Sequence, residues 1–251
     1  MANEDSELYG LFIPYLKFET SYGEMEMSEI AGRSDTLYVT ATVDEFRQIA
    51  RVAKAQQVLV VNGGYQYDFG LLMKASEVWE QLKVEVLDVM KFAGRFTPLP
   101  PREREETRDF LEMANDFLAG CHCVGTIRYF EPADLPVLYI ANKDLNYWKI
   151  VNDTIRTADA AFTDLLGALK AGYVEEPLSR LCFNYNNPMI RKIVASRDER
   201  LRRRAIELFY TQSLLMGNHV MSNQELQLMN ESLLYFVNLG LDRAEAGEYR
   251  G

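Results

Sequence analysis

The last third of the chain, residues 187–241, constrains the fold most, because helix starts can be identified there from capping chemistry alone. Asn187 followed by Pro188 places a hydrogen-bond acceptor at an N-cap and a fixed φ at the first helical position. Gly217, which ends a long helical segment, supplies a left-handed stop before the next helix begins. The sequence therefore predicts a helical hairpin at this end of the chain.

Two capping boxes mark the starts of the two longer helices. Ser196 stands three residues before Glu199, and Ser222 stands three residues before Glu225. In a capping box the hydroxyl and the carboxylate each accept a hydrogen bond from a backbone amide that the helix leaves unpaired. We expect one helix to start at each of these serines.

The final helix carries more apolar side chains than packing on one side requires. One stripe at three-and-four spacing contains Leu226, Met229, Leu233, Phe236 and Val237. A second stripe, partly round the helix, contains Leu228, Leu234, Tyr235 and Leu239. Both stripes could be buried in one large core, but a helix near a polar chain end favours self-association. The sequence thus predicts a symmetric homodimer, with the first stripe as its interface.

The overall charge of the chain argues against nucleic acid or membrane as a partner. The net charge is −10, which is unfavourable for a surface that tracks phosphates. The basic run at Arg200, Arg202, Arg203 and Arg204 is flanked by acidic residues and is interpreted as a solvated helix face. Three cysteines and a polar, acidic start predict a cytoplasmic protein without a signal peptide.

The front of the chain alternates between strand-like and helix-like segments. After a helix from Leu8 that Pro14 interrupts, strands are predicted at 36–41, 58–61 and 84–89, and helices at 43–55 and 68–79. Thr42 and Glu45 form a further capping box. This order predicts α/β architecture, a small three-layer αβα unit with a parallel sheet and strand 58–61 at its centre.

A linker-like stretch at 92–106, rich in proline and charge, separates two predicted domains, 1–98 and 99–251. The second domain is expected to be α+β, ending in the helical hairpin. Its predicted helices and strands before that hairpin are a helix at 103–118, strands at 124–130 and 137–140, and a helix at 157–170.

The triplet Cys121, His122 and Cys123 contains the residue types that bind zinc. On a strand, however, the histidine would point away from the two cysteines, and no second cysteine pair stands elsewhere. Buried structural cysteines are the favoured interpretation. We predict no metal site and no catalytic residue.

The turn at Asn62, Gly63 and Gly64 follows a predicted parallel strand, where phosphates bind in doubly wound sheets. The glycine fingerprint is incomplete, so a turn that needs positive φ is the favoured interpretation. The alternative is a small-molecule enzyme or binding domain, with a pocket lined by Asn62, Tyr65 and Asp68. His219 is expected to settle at a helix end.

Segments at both ends of the chain carry a family resemblance. The C-terminal order NPMIRKI, AIELFYTQSLLMGNH and NLGLD resembles the end of the heat shock protein 90 family, the HtpG-type chaperones. In that family an Asn-Pro introduces a helix, and the last helices form a constitutive dimer interface. The earlier order YLKFETSYGEMEMSEI, TLYVT, DEFRQIA, VLVVNGG and VEVLDV is similar to the distal part of the family's middle domain.

The resemblance implies a segment that begins inside the middle domain of a divergent bacterial family member. Family members hydrolyse ATP with magnesium in an N-terminal domain, whose DxGxG loop does not occur here. We therefore expect no cofactor, no ATPase activity and no enzyme activity from this chain alone. The family's acidic MEEVD tail does not occur either, so cochaperones that bind this tail are not expected.

The resemblance also implies partners. The chain would pair with itself and would hold unfolded or partly folded client proteins, in the stress response. The corresponding client segment is 138–150, where Tyr147, Trp148 and Ile150 offer broad apolar area. Burial of Trp148 in the core is the alternative for this segment.

Overall fold

A computed structural model describes residues 6–141 and 179–245 of the chain. The described residues form a mixed α/β protein with two mixed sheets. The chain divides into two compact units after Phe96, and the short segment Phe130–Pro132 belongs to the first. The predicted helix at 157–170 lies outside the described residues.

The first unit contains a five-stranded sheet in the order β2-β1-β4-β3-β5. Its strands are β1 (Lys17–Thr20), β2 (Gly23–Glu26), β3 (Thr36–Thr40), β4 (Val60–Asn62) and β5 (Lys83–Val86). Strand β3 pairs in parallel with β4 and β5, so it lies between the other two predicted strands. Strand β4, predicted at the centre, is the third of the five strands because β1 and β2 lie beyond it. Strand β1 pairs antiparallel with both β2 and β4. The predicted all-parallel sheet was therefore wrong.

The antiparallel strands come from a segment that we did not predict as a hairpin. We expected a helix from Leu8 that extended past Pro14, but a strand begins at Lys17. Gly23, with φ of 107°, takes the left-handed conformation at the tight turn between β1 and β2. Alternate burial of Phe18 and Thr20 then fixes which face of β1 meets the core.

The described part of the first unit also contains five helices and two 3-10 turns. They are α1 (Ser6–Phe12), α2 (Met27–Arg33), α3 (Val43–Ala55), α4 (Asp68–Met73) and α5 (Val89–Gly94), with 3-10 turns at Ile13–Tyr15 and Ala75–Glu77. Helix α3 has the predicted bounds and the predicted capping box, because Thr42 Oγ1 accepts a 3.1 Å hydrogen bond from Glu45 N. The helix predicted at 68–79 is instead α4 and a separate 3-10 turn.

The second unit contains a four-stranded sheet in the order β6-β7-β9-β8. Its strands are β6 (Thr97–Pro98), β7 (Cys123–Tyr129), β8 (Val137–Ala141) and β9 (Ser179–Asn184). Strands β7 and β8 match predicted strands, but β9 was not predicted. Strand β9 lies between them, parallel to β7 and antiparallel to β8, and Leu181 and Phe183 are fully buried in the core.

Five described helices belong to the second unit. They are α6 (Pro101–Glu106), α7 (Arg108–Ala119), α8 (Pro188–Val194), α9 (Glu199–Met216) and α10 (Asn223–Glu245). The single helix predicted at 103–118 is divided at Thr107, which is buried and donates its hydroxyl to Arg104 O. Part of the predicted linker at 92–106 is therefore helical.

The capping predictions for the last helices were confirmed at two of three sites. Asn187 Oδ1 accepts hydrogen bonds from the first amides of α8, and Ser222 forms the predicted capping box at α10. Helix α9, however, is capped by Asp198 and not by Ser196. Asp198 immediately precedes the first residue of α9, so its carboxylate accepts a 2.9 Å hydrogen bond from the backbone amide of Leu201.

The left-handed residue between α9 and α10 is Asn218 and not Gly217. Asn218 has φ of 56°, whereas Gly217 has φ of −81°. Asparagine tolerates this conformation because its short polar side chain can bond locally. The predicted hairpin is present, with its stop one residue later than expected.

Of the helices that the structure describes, none has the length and apolar character needed to cross a membrane.

Candidate functional site

A buried carboxylate, Glu207 on α9, lies at the contact between α9 and α10. Glu207 Oε2 accepts hydrogen bonds from Arg204 Nη1 at 2.8 Å and from Ser232 Oγ of α10 at 3.3 Å. Arg203 Nε donates to the other oxygen at 3.3 Å. A buried charge is costly unless it is paired and hydrogen-bonded, and these three donors meet that requirement. These polar contacts therefore determine which side of α10 faces α9.

A second buried carboxylate, Glu225, lies at the start of α10. Tyr210 of α9 donates a 2.7 Å hydrogen bond to Glu225 Oε1, and Ser222 N donates to Oε2 at 2.8 Å. Burial raises the pKa of the Tyr210 phenol far above its usual range. The phenol thus remains a hydrogen-bond donor, and this contact fixes the first turn of α10 against α9.

These contacts turn the apolar side of α10 outward. Among its described side chains, only Glu225 and Ser232 are buried. The exposed apolar residues are Leu226, Leu233, Leu234, Val237 and Leu241, at 43–56% exposure. We call this surface the outer face of α10.

The predicted interface stripe is therefore not a single face in the structure. Leu226, Leu233 and Val237 lie on the outer face, whereas Phe236 packs partly against the core of the second unit. Met229 is half-buried. The second predicted stripe is also divided, because Leu234 is exposed while Leu228, Tyr235 and Leu239 are half-buried. The three-and-four spacing could not show which side the polar contacts of Glu207 and Glu225 would select.

The basic run on α9 is not the fully solvated face that we predicted. Arg204 Nη1 also donates to Glu231 Oε2 of α10 at 3.2 Å, and the Arg204 side chain is only 26% exposed. Arg200 lies over the ring of Tyr235 at 5.2 Å. The arginines therefore connect the two helices as well as contacting solvent.

The Arg204–Glu231 pair lines two open clefts between α9 and α10. One has a volume of about 390 Å³ and is lined by Arg200, Arg204, Glu231, Leu234, Tyr235, Asn238, Leu239 and Asp242. The other has a volume of about 410 Å³ and also contacts Glu207 and Leu228. Of the arginines that line these clefts, Arg203 and Arg204 already bond to carboxylates, whereas Arg200 lies over the ring of Tyr235.

The turn at Gly63 and Gly64 is explained by close packing and not by positive φ. A Cβ on Gly64 would lie 2.1 Å from Val43 N, and a Cβ on Gly63 would lie 2.7 Å from Thr40 O. Neither glycine has positive φ. The prediction that these glycines adopt positive φ was therefore wrong. The end of β3 leaves no room for a side chain at Gly63, and the start of α3 leaves none at Gly64.

Side chains beside this turn bond to one another. Asn62 is fully buried, and its amide donates to Glu19 Oε2 at 2.7 Å. Tyr65 donates its hydroxyl to the same carboxylate oxygen at 2.9 Å. Burial raises the pKa of the Asp68 carboxyl, and the backbone amide of Asp68 donates to Tyr65 O at 3.2 Å. The contacts link β1 to the end of β4, which is a structural role.

The cysteine triplet lies at the start of β7. Cys123 is buried, Cys121 is half-buried, and His122 has φ of 52°. Within residues 6–141 and 179–245, no three histidine, cysteine or acidic side chains are grouped so that they could hold a metal ion. Cys182 is buried on β9, and this burial raises the pKa of its thiol to about 11. His219 follows Asn218, and the centroid of its ring lies 5.0 Å from the centroid of the Tyr139 ring.

The predicted client residues Tyr147, Trp148 and Ile150 lie outside the described residues. Glu207, Tyr210 and Ser232 were not predicted to form the contact between α9 and α10. A signal was present for the first, because Arg203 and Glu207 stand four residues apart on one helix.

Comparison with protein-family models and with curated protein sequences gives no match to this chain.

Proposed function

We propose that this chain is the homodimerisation and client-contact segment of an HtpG-like chaperone of the heat shock protein 90 family. In this proposal the ATPase activity, with its ATP and magnesium, resides in another domain of the full-length protein. The basis is the order of segments that resemble the family, together with the surface of α10.

The outer face of α10 is the observation that supports pairing. Leu226, Leu233, Val237 and Leu241 are all exposed, and a contiguous exposed apolar surface is typical of an interaction site. Between Leu226 and Leu241 the only charged residue is Glu231, and it bonds to Arg204 of α9. An uncharged apolar face on a chain with a net charge of −10 is where a second copy can approach with least repulsion.

The mass of the chain in solution tests this proposal. Light scattering over a wide range of concentration should give twice the mass of one chain. The double variant Leu233→Asp, Val237→Asp should give the mass of one chain, because two carboxylates would be desolvated at the interface. Circular dichroism should show that this variant keeps its fold, since both positions are exposed.

A matched control adds the same charge to the same helix. Gln224→Glu with Asn238→Asp places two carboxylates on exposed positions of α10 outside the Leu226–Leu233–Val237–Leu241 line. This control should remain a dimer. A single-chain mass for the unsubstituted protein, or an unchanged dimer in the Leu233→Asp, Val237→Asp variant, would contradict the proposed pairing.

Client contact is tested separately through Trp148. In a Trp79→Phe background the remaining tryptophan is Trp148, so its emission reports its own surroundings. Red-shifted emission that a soluble quencher reduces, and that a denatured test protein alters, would support client contact. Blue-shifted emission that no quencher reaches would remove Trp148 from the client surface.

We also propose the finer features of the expected architecture and location. These are a three-layer αβα arrangement of the first unit and a cytoplasmic location. No disulfide joins any of the three cysteines, all of which lie in the described part of the chain. That state is typical of a reducing compartment.

A further inference from the structure

Six residues on one side of α10 follow a heptad spacing. They recur at alternating intervals of four and three residues, as Leu226, Asn230, Leu233, Val237, Gly240 and Ala244. This is the spacing of the a and d positions in a two-stranded coiled coil. Leu226 and Leu233 stand at d, and β-branched Val237 stands at a, which is the combination that favours two strands. We call this line of residues the α10 seam.

All six seam residues are exposed in the described chain. Leu226 directly follows Glu225 and Leu233 directly follows Ser232, so the seam lies about 100° round the helix from these two buried residues. Because Leu226, Leu233 and Val237 are 43–56% exposed, a second helix could cover apolar area that the described chain leaves open.

Asn230 is the one strongly polar side chain in the seam, and it stands at an a position. If the seam is buried against another molecule, the Asn230 amide must find a hydrogen-bond partner, because an unpaired buried amide is destabilising. Against an unrelated apolar surface it would find none. Against a second copy in register, it meets an identical amide that can both donate and accept.

Gly240 supplies a separate observation. No described atom lies within 4 Å of the position that a Cβ on Gly240 would occupy. Glycine in a helix interior is less stable than alanine, and no contact that the structure describes requires a glycine at position 240. Close approach of a second helix backbone would require it.

We propose that a second copy of this chain packs along the α10 seam with its Asn230 amide hydrogen-bonded to Asn230 of the first copy. The paired amides then set the register of the two helices and restrict the assembly to two chains. This inference rests on the proposed homodimer and adds the residue that determines its alignment.

Two substitutions at Asn230 test the register. Asn230→Asp should raise the dissociation constant of the dimer about tenfold or more near neutral pH, since two carboxylates would face each other. At about pH 4, where aspartate takes up a proton, the value should return toward that of the unsubstituted chain at the same pH. Asn230→Leu should tighten association and give masses above two chains, because the apolar seam no longer specifies one partner.

Two further variants act as controls. Asn238→Asp makes the same chemical change on the same helix away from the seam and should leave the dissociation constant unchanged. Gly240→Ala should weaken the dimer while raising the helix content of the separated chains, because the added methyl group occupies the space that a second backbone needs.

The outcomes separate this inference from the proposed function. If Leu233→Asp with Val237→Asp separates the chains but both Asn230 variants leave the mass and the dissociation constant unchanged, the dimer stands and the register proposal fails. If the unsubstituted chain has the mass of a single chain at every concentration, both proposals fail.

Discussion

Tyr210 and Glu225 are joined by a 2.7 Å hydrogen bond across the α9–α10 hairpin, and both side chains are buried. The bond connects the fourth turn of α9 with the first turn of α10, where the Ser222 capping box also ends on Glu225. A single carboxylate therefore caps one helix and joins it to the other.

Removing the Tyr210 hydroxyl should destabilise the protein. Tyr210→Phe leaves the buried Glu225 carboxylate without one donor, so the free energy of unfolding should fall by about 1–3 kcal/mol. Urea denaturation measures the loss. Tyr235→Phe is the matched control, because its ring and not its hydroxyl contacts Arg200, and it should change stability by less than about 0.5 kcal/mol. Equal losses in the two variants would contradict the proposed role of the bond.

Neutralising Glu207 should also be costly. Glu207→Gln preserves the shape of the side chain but replaces charge-assisted hydrogen bonds from Arg203 and Arg204, so unfolding should become easier by about 1–3 kcal/mol. Glu106→Gln on α6 breaks the exposed pair with Arg102 and should cost less than about 0.5 kcal/mol. Thermal denaturation of both variants provides the comparison, and a cost at Glu106 as large as that at Glu207 would exclude burial as its cause.

Alanine substitution should separate two kinds of glycine in the first unit. Gly64→Ala should destabilise strongly, because its methyl group would lie 2.1 Å from Val43 N at the start of α3. Gly70→Ala on α4 meets nothing within 4 Å and should be neutral or stabilising by up to about 1 kcal/mol. Denaturant midpoints of the two variants measure this difference. A tolerated Gly64→Ala would show that the turn can move away from α3.

Stability should decrease at alkaline pH through the buried Cys182 thiol. Its ordinary pKa is 9.0 and burial raises it to about 11, so the folded state holds the proton more tightly than the unfolded state. The stabilisation is complete below pH 9 and is lost as the pH rises toward 11. Between about pH 8 and pH 10 the free energy of unfolding should fall by about 1 kcal/mol from this group.

Cys182→Ala provides the comparison for the alkaline measurement. The variant loses packing at every pH, but its free energy of unfolding should decline less between about pH 8 and pH 10 than that of the unsubstituted chain. Parallel pH profiles for the two proteins would show that Cys182 does not carry the effect.

Local chemistry predicted the parts of the fold whose signals lie within a few residues. The start of α3 at Thr42 and the start of α8 at Asn187 follow from single side chains that bond to nearby amides. The hairpin β1–β2 and strand β9 were missed because their stability comes from pairing with distant strands. Lys17 and Glu19 in β1 and Asn184 in β9 are also residue types that are depleted in strands, which weakens the signal of these short segments.

The candidate site was predicted in part for the same reason. Spacing alone indicated surplus apolar area on α10, and the exposure of Leu233 and Val237 agrees with that surplus. Which side of the helix faces inward depends on Ser232 meeting Glu207 of α9, a contact between residues 25 positions apart. No short-range pattern encodes that contact.

The position of β9 between β7 and β8 has a consequence for folding during synthesis. Every strand of the first unit lies between Lys17 and Val86, so that sheet can form as soon as this stretch has left the ribosome. In the second unit, β7 and β8 both pair with β9, so neither can complete its pairing until residues 179–184 have emerged. Until then, β7 and β8 each have an edge whose backbone groups are not paired with β9. A nascent chain that pauses at this point would be prone to aggregate.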